Sequence, residues 1–162
     1  MRIGKYKKRQ SGFTYLTILF AIAIAGVVMA NTGVDWSHEA QREKETELLF
    51  VGDQYRQAIA LYYQRTPGAI KRYPTKLEDL LTDTRYNPPQ HYLRKLYRDP
   101  IMNQKQWAII TAPEGGIMGV RSLSEASAIK NTNFGYADMS FEDKSKYSDW
   151  QFIYTPQTPV SK

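Results

Sequence analysis

The sequence predicts an α+β fold in which a long N-terminal helix packs on a small antiparallel β-sheet. Three observations predict it: an uncharged apolar run over residues 13–30, an amphipathic stretch over residues 37–65, and three β-rich segments beyond residue 105. An amphipathic helix needs a second surface to cover its apolar stripe, and a small sheet built from the later segments provides one.

A short basic leader, residues 1–12, precedes the apolar run. Its charged residues are all basic: Arg2, Lys5, Lys7, Lys8 and Arg9. The whole chain has 22 basic and 16 acidic residues. Without the five basic residues of the leader, 17 basic and 16 acidic residues remain. Because this remainder is close to neutral, nucleic acid is not an expected partner.

The apolar run is 18 residues long (FTYLTILFAIAIAGVVMA). As a helix it reaches about 27 Å at about 1.5 Å per residue, close to the roughly 30 Å of a bilayer core. The positive-inside rule assigns the basic leader to the cytoplasm and the rest of the chain to the other side. Cysteine is absent, which excludes disulfides, thiol nucleophiles and cysteine metal sites.

Three interpretations of this N-terminus are open. A cleaved signal peptide would be cut near Ala30, although its apolar region is normally only about 7–15 residues long. An uncleaved single-pass anchor fits the length and the charge. The third interpretation is a cut on the cytoplasmic side between Gly12 and Phe13, where glycine offers a protease an extended backbone with no side chain.

The residues around that junction, Ser11 to Thr17 (SGFTYLT), resemble the class III leader of type IV pilins and type II secretion pseudopilins. The resemblance implies a pilin-like form of the α+β fold. It also implies that a prepilin peptidase cuts after Gly12 and methylates the new terminal amine of Phe13.

The resemblance further implies where the protein resides and what it contacts. The expected location is the inner membrane, crossed once, with the N-terminus cytoplasmic and the C-terminal domain periplasmic. The expected partners are the prepilin peptidase, other pseudopilins or pilins, an inner-membrane assembly platform and membrane lipid. No cofactor and no catalytic residue are implied.

Two residues depart from the family pattern. The family usually has glutamate at the fifth mature position, where this chain has Thr17, whose hydroxyl can bond to a helix carbonyl instead. The proline common after the apolar run is also missing, and Val34 follows Gly33 there. Both departures favour a minor subunit over a major, self-polymerising one.

The predicted organisation has four parts: the leader over residues 1–12, a transmembrane or assembly helix over residues 13–34, its amphipathic continuation over residues 35–65, and a globular domain over residues 66–162. The amphipathic stripe consists of Leu48, Val51, Tyr55, Ile59 and Tyr62. The charged residues before the stripe, from Glu39 to Glu47, are interpreted as a solvated face.

The globular domain begins where Thr66-Pro67-Gly68 ends the helix. A capping box at Thr75 and Glu78 then predicts a second helix. Residues 106–112 and 117–122, joined by a Pro-Glu-Gly-Gly turn, predict a β-hairpin, and residues 150–154 predict a third strand. A long loop over residues 123–149 separates them.

The long loop contains the candidates for a metal site. Because the major pseudopilins that this chain resembles bind calcium in a C-terminal loop, the acids considered are Asp138, Glu142, Asp143 and Asp149. Their spacing is not that of an EF-hand, and two lysines lie among them, so solvated loop charge is the preferred interpretation. No metal is expected.

The predicted function is that of a minor pseudopilin, a structural subunit of a type II secretion system, which exports proteins across the outer membrane. One alternative is a minor pilin of a type IV pilus, in adhesion, motility or DNA uptake. The other is a periplasmic protein with a single membrane anchor. The chain itself is predicted not to be an enzyme.

Overall fold

A computed structural model describes residues 13–156, without the side chains of residues 27–37. The described chain forms two compact units that divide between Ala40 and Gln41, called here the N-terminal and C-terminal units. The proposed cut-site residue Gly12 lies outside the described residues, and at Gly33 and Val34 only the helical backbone is described.

The fold is α+β with one helix and a three-stranded antiparallel sheet in the described residues. Helix α1 spans Phe13–Gln64, and the strands are β1 (Ala108–Thr111), β2 (Ile117–Arg121) and β3 (Gln151–Ile153), in the order β1-β2-β3. Short 3₁₀ helices cover Leu77–Leu80, Tyr136–Phe141 and Tyr147–Asp149.

The pilin-like part of the predicted fold is wrong. No helix among the described residues is both long and apolar enough to cross a membrane. From residue 38 onward α1 carries charged residues at short intervals. The same finding overturns the predicted location, a single-pass inner-membrane protein with a periplasmic C-terminal domain.

Within the C-terminal unit, the predicted apolar stripe of α1 is confirmed as the helix side of the core. Its five members, from Leu48 to Tyr62, are all buried. They pack with the buried side of the sheet and with residues from the connecting segments, among them Leu80, Trp107, Val120, Phe141, Trp150 and Phe152. The spacing of three and four residues therefore identified the correct helix face.

The C-terminal end of α1 is held by an arginine from a later segment. The guanidinium of Arg85 donates to the carbonyl of Tyr62 (3.1 Å) and to Oγ1 of Thr66 (2.9 Å), and it lies 3.6 Å from the centre of the Tyr62 ring. Its charge is balanced by the buried Asp83 at 2.7 Å. Burial acts to raise the pKa of Asp83, but the hydrogen bonds from Arg85 outweigh burial and lower it.

The predicted hairpin is confirmed: β1 and β2 pair antiparallel around the turn at residues 113–116. Gly115 and Gly116 have φ angles of 91° and 84°, a conformation that glycine adopts without a steric penalty. The amide of Gly115 donates to the carbonyl of Ala112 at 2.9 Å and closes the turn.

The predicted third strand is also confirmed, with Phe152 at its centre. Phe152 is fully buried, and its ring meets that of Phe141 edge to face at 5.1 Å. Phe141 stacks in turn on Trp150, at 5.8 Å between ring centres. On the helix side, the ring of Phe152 lies directly against Gly52 of α1. A residue without a side chain is needed there for helix and sheet to approach this closely.

The second predicted helix is a single 3₁₀ turn with a different capping residue. Asp79, not Glu78, supplies the carboxylate, which accepts from the backbone amides of Thr75 and Lys76, both at 3.0 Å. The capping box lies one residue later than predicted, with Lys76 at the N-cap and Asp79 three residues on.

We expect Gly52→Ala to lower the free energy of unfolding by about 1–3 kcal/mol, because the added methyl would overlap the Phe152 ring and force α1 and β3 apart. The matched control is Gly135→Ala, which meets no atom within 4 Å and has a φ of −65°. Urea denaturation of both variants checks this. Equal stabilities would contradict the close packing described.

Candidate functional site

The most exposed apolar surface described lies on residues 13–26 of α1, called here the apolar segment. Eight large apolar side chains are exposed on it: Phe13, Tyr15, Leu16, Ile18, Leu19, Phe20, Ile22 and Ile24. They include neighbours in sequence as well as residues three and four apart, so they occupy all sides of the helix. No charged residue interrupts them.

A helix that is apolar on all sides is stable in water only when other apolar groups cover it. Phe13 is 78% and Phe20 70% exposed, and neither belongs to the buried core. Each fully covered side chain of this size contributes about 1.5–3 kcal/mol relative to exposure. Within the described chain, the apolar segment is therefore apolar surface that stays exposed to solvent.

The two predicted processing and assembly residues described here lie at the start of this segment. Phe13 is the first residue of α1, and the hydroxyl of Thr17 donates to its carbonyl at 2.8 Å. This bond satisfies the Thr17 hydroxyl within its own helix. Position 17 therefore offers a neighbouring molecule neither a charge nor a free donor.

The acids considered for calcium do not form a metal site. Asp138 accepts from Arg56 at 2.8 Å, and Arg56 also binds Asp53 at 2.6 Å. Burial acts to lower the pKa of Arg56, but these two carboxylates raise it. Glu142, Asp143 and Asp149 are exposed. Over the described part of the chain, no three Asp, Glu or His side chains are grouped so as to hold a metal ion.

Glu45 is buried, although the charge pattern of residues 39–47 predicts that it lies on a solvated helix face. It is only 3% exposed. Its carboxylate accepts from the backbone amide of Ile129 (2.5 Å), that of Lys130 (3.2 Å) and the hydroxyl of Tyr147 (2.8 Å). The sequence spacing indicates this burial, because Glu45 precedes Leu48 by three residues and so lies on the buried stripe.

Tyr147 completes this contact between α1 and the loop of residues 123–149. Burial raises its pKa to about 12, so the phenol stays protonated and donates to Glu45. Gln41 donates to the Tyr147 oxygen at 2.7 Å and to the carbonyl of Ser127 at 3.0 Å. Gln41, Glu45 and Tyr147 form what we call the loop clamp, which holds the loop against the helix.

Comparisons with known proteins assign this chain to no family. No protein-family model, no curated protein and no solved structure matches this chain.

We expect Glu45→Gln to destabilise the protein by about 1–3 kcal/mol, because the new amide N–H₂ would face a backbone N–H with no acceptor between them. Hydrogen exchange at the amides of Ile129 and Lys130 should accelerate. Glu43→Gln is the control, since Glu43 is exposed on the same helix. If both variants exchange and unfold like the unaltered protein, the loop clamp does not hold the loop.

Proposed function

We propose that this chain is a minor pseudopilin, a non-catalytic structural subunit of a type II secretion system. Its leader is removed by a prepilin peptidase after Gly12, and the amine of Phe13 is methylated. The apolar segment then packs against the corresponding helices of other pseudopilins, and the C-terminal unit presents the subunit's specific surface.

The observation that carries this proposal is the exposed apolar segment, which begins at Phe13. Cutting after Gly12 would remove the five basic residues of the leader and leave a helix end whose only charge is the new terminal amine of Phe13. Side-by-side packing of such helices removes apolar surface from water at about 25 cal/mol per Å². This gain supports assembly without any active site.

Thr17 supports the assignment to a minor position. Its hydroxyl is satisfied by the Phe13 carbonyl, so it cannot attract the terminal amine of a neighbouring subunit as a carboxylate would. The subunit would therefore be recruited by apolar packing and by contacts of its C-terminal unit. A subunit without the charge attraction is poorly suited to polymerise with itself.

The processing step predicts a specific mature N-terminus. After coexpression with a prepilin peptidase, intact-mass and N-terminal peptide spectrometry should find a chain that starts at N-methyl-Phe13. Gly12→Val should block the cut because its side chain hinders the extended backbone at the scissile bond, whereas Gly4→Val should not. An intact Met1, or a start at Asn31, would refute the proposal.

The proposed assembly step predicts that a carboxylate at position 17 increases association with sister subunits. Thr17→Glu should raise the fraction of the chain crosslinked to sister subunits by about two- to fivefold, the effect of an ion pair of about 0.5–1 kcal/mol with a terminal amine. Thr14→Glu, which places the same charge elsewhere on the helix, should not. Equal crosslinking by both variants and the unaltered chain would show that position 17 does not control assembly.

A further inference from the structure

A cavity of about 510 Å³ in the C-terminal unit concentrates positive charge. Four basic side chains line it: Lys44 of α1, Lys95, Arg98 and Lys105. One acid, Glu47, is among the lining residues, and the remainder of the wall is largely apolar or aromatic. Since the chain beyond the leader is nearly neutral, this concentration of charge is local and does not follow from composition.

The four cations are available to a ligand. All four are exposed, and none has a carboxylate within 4 Å among the described side chains. The ammonium of Lys95 lies 5.2 Å from the centre of the Tyr97 ring, which is itself part of the wall. This contact holds Lys95 at the cavity without neutralising it.

The backbone that carries Arg98 is fixed on both sides. The carbonyl of Tyr97 accepts from the hydroxyl of Tyr55 (3.2 Å) and from Nε1 of Trp107 (3.0 Å). On the other side, the carboxylate of Asp99 is fully buried and accepts from the hydroxyl of Ser122 at 2.5 Å. The backbone of Arg98 is therefore anchored between the half-buried Tyr97 and the buried Asp99, which are both hydrogen-bonded.

The same carboxylate shapes the turn that leads to Lys105. Asp99 also accepts from the amide of Ile101 at 2.8 Å, and its own amide donates to the carbonyl of Gln104 at 2.7 Å. Asn103 takes a positive φ of 54° within this turn. The wall is thus built before any ligand arrives, which lowers the entropic cost of binding.

We propose that this cavity binds a small anion that carries phosphate groups. Its volume lies within the roughly 300–1,000 Å³ of small-molecule sites. Cations reach it from three parts of the chain: α1, the segment of Lys95 and Arg98, and the turn before Lys105. A phosphate group offers three acceptor oxygens in different directions and so suits such donors, whereas a carboxylate offers two in one plane.

The test is calorimetric titration of the full-length chain, in a non-ionic detergent, with inorganic pyrophosphate at fixed ionic strength. Lys95→Gln and Lys105→Gln should each weaken binding at least about tenfold, the effect of losing one hydrogen bond to a charged group. Glu47→Gln should tighten binding about twofold to fivefold, because it removes the acid from the wall. Lys144→Gln is the control, since Lys144 is exposed and lies outside this cavity.

Four results would overturn the proposal. The first is no pyrophosphate binding at millimolar concentration, and the second is binding that none of the variants at Lys95, Lys105 and Glu47 alters. The third is citrate, a carboxylate anion of similar charge, binding as tightly. A single-stranded oligonucleotide that binds far more tightly than pyrophosphate would replace the small-ligand site with a nucleic-acid surface. Thermal melting of each variant verifies that binding losses do not come from unfolding.

Discussion

The C-terminal unit depends on the close approach of α1 to β3 at Gly52. There the ring of Phe152 rests on helix backbone, which no residue with a side chain would permit. This contact places the buried stripe of α1 over a sheet of only three short strands. The aromatic rings of Phe141 and Trp150 then pack around Phe152 and extend the core beyond the sheet. A sheet of this size is stabilised by packing its apolar face against a helix.

Buried carboxylates fasten the remaining chain to this core. Glu45 holds the loop of residues 123–149, Asp83 orients the arginine that caps the end of α1, and Asp99 shapes the turn before β1. Each is satisfied by backbone amides, hydroxyls or an arginine, as burial of a charge requires. A chain without cysteine cannot use disulfides for this purpose. Polar contacts of this kind fix connections that are too irregular to join the sheet.

The described chain thus separates two kinds of surface. The apolar segment is uniform, uncharged and free of special geometry, which suits packing against similar helices. The C-terminal unit has specific features, namely a fixed loop and a basic cavity whose walls are held by hydrogen bonds. Under the proposed function, the apolar segment would pack against other subunits while the basic cavity of the C-terminal unit would bind its own ligand.

The sequence by itself determined the local features: the helix stripe from Leu48 to Tyr62, the Gly-Gly hairpin and the strand around Phe152. These depend on spacing and turn chemistry within a few residues, which can be read directly. It also led to a membrane-spanning pilin-like fold, which no helix in the described residues supports.

Only the tertiary structure decided which charged residues are buried. Glu45 was predicted to be solvated and is enclosed, while Asp138, considered for calcium, is paired with an arginine from α1. The basic cavity likewise joins Lys44 to Lys105, which lie far apart in the chain. Whether a carboxylate or an ammonium meets water, a donor or another charge depends on segments that folding brings together, and local periodicity carries no record of them.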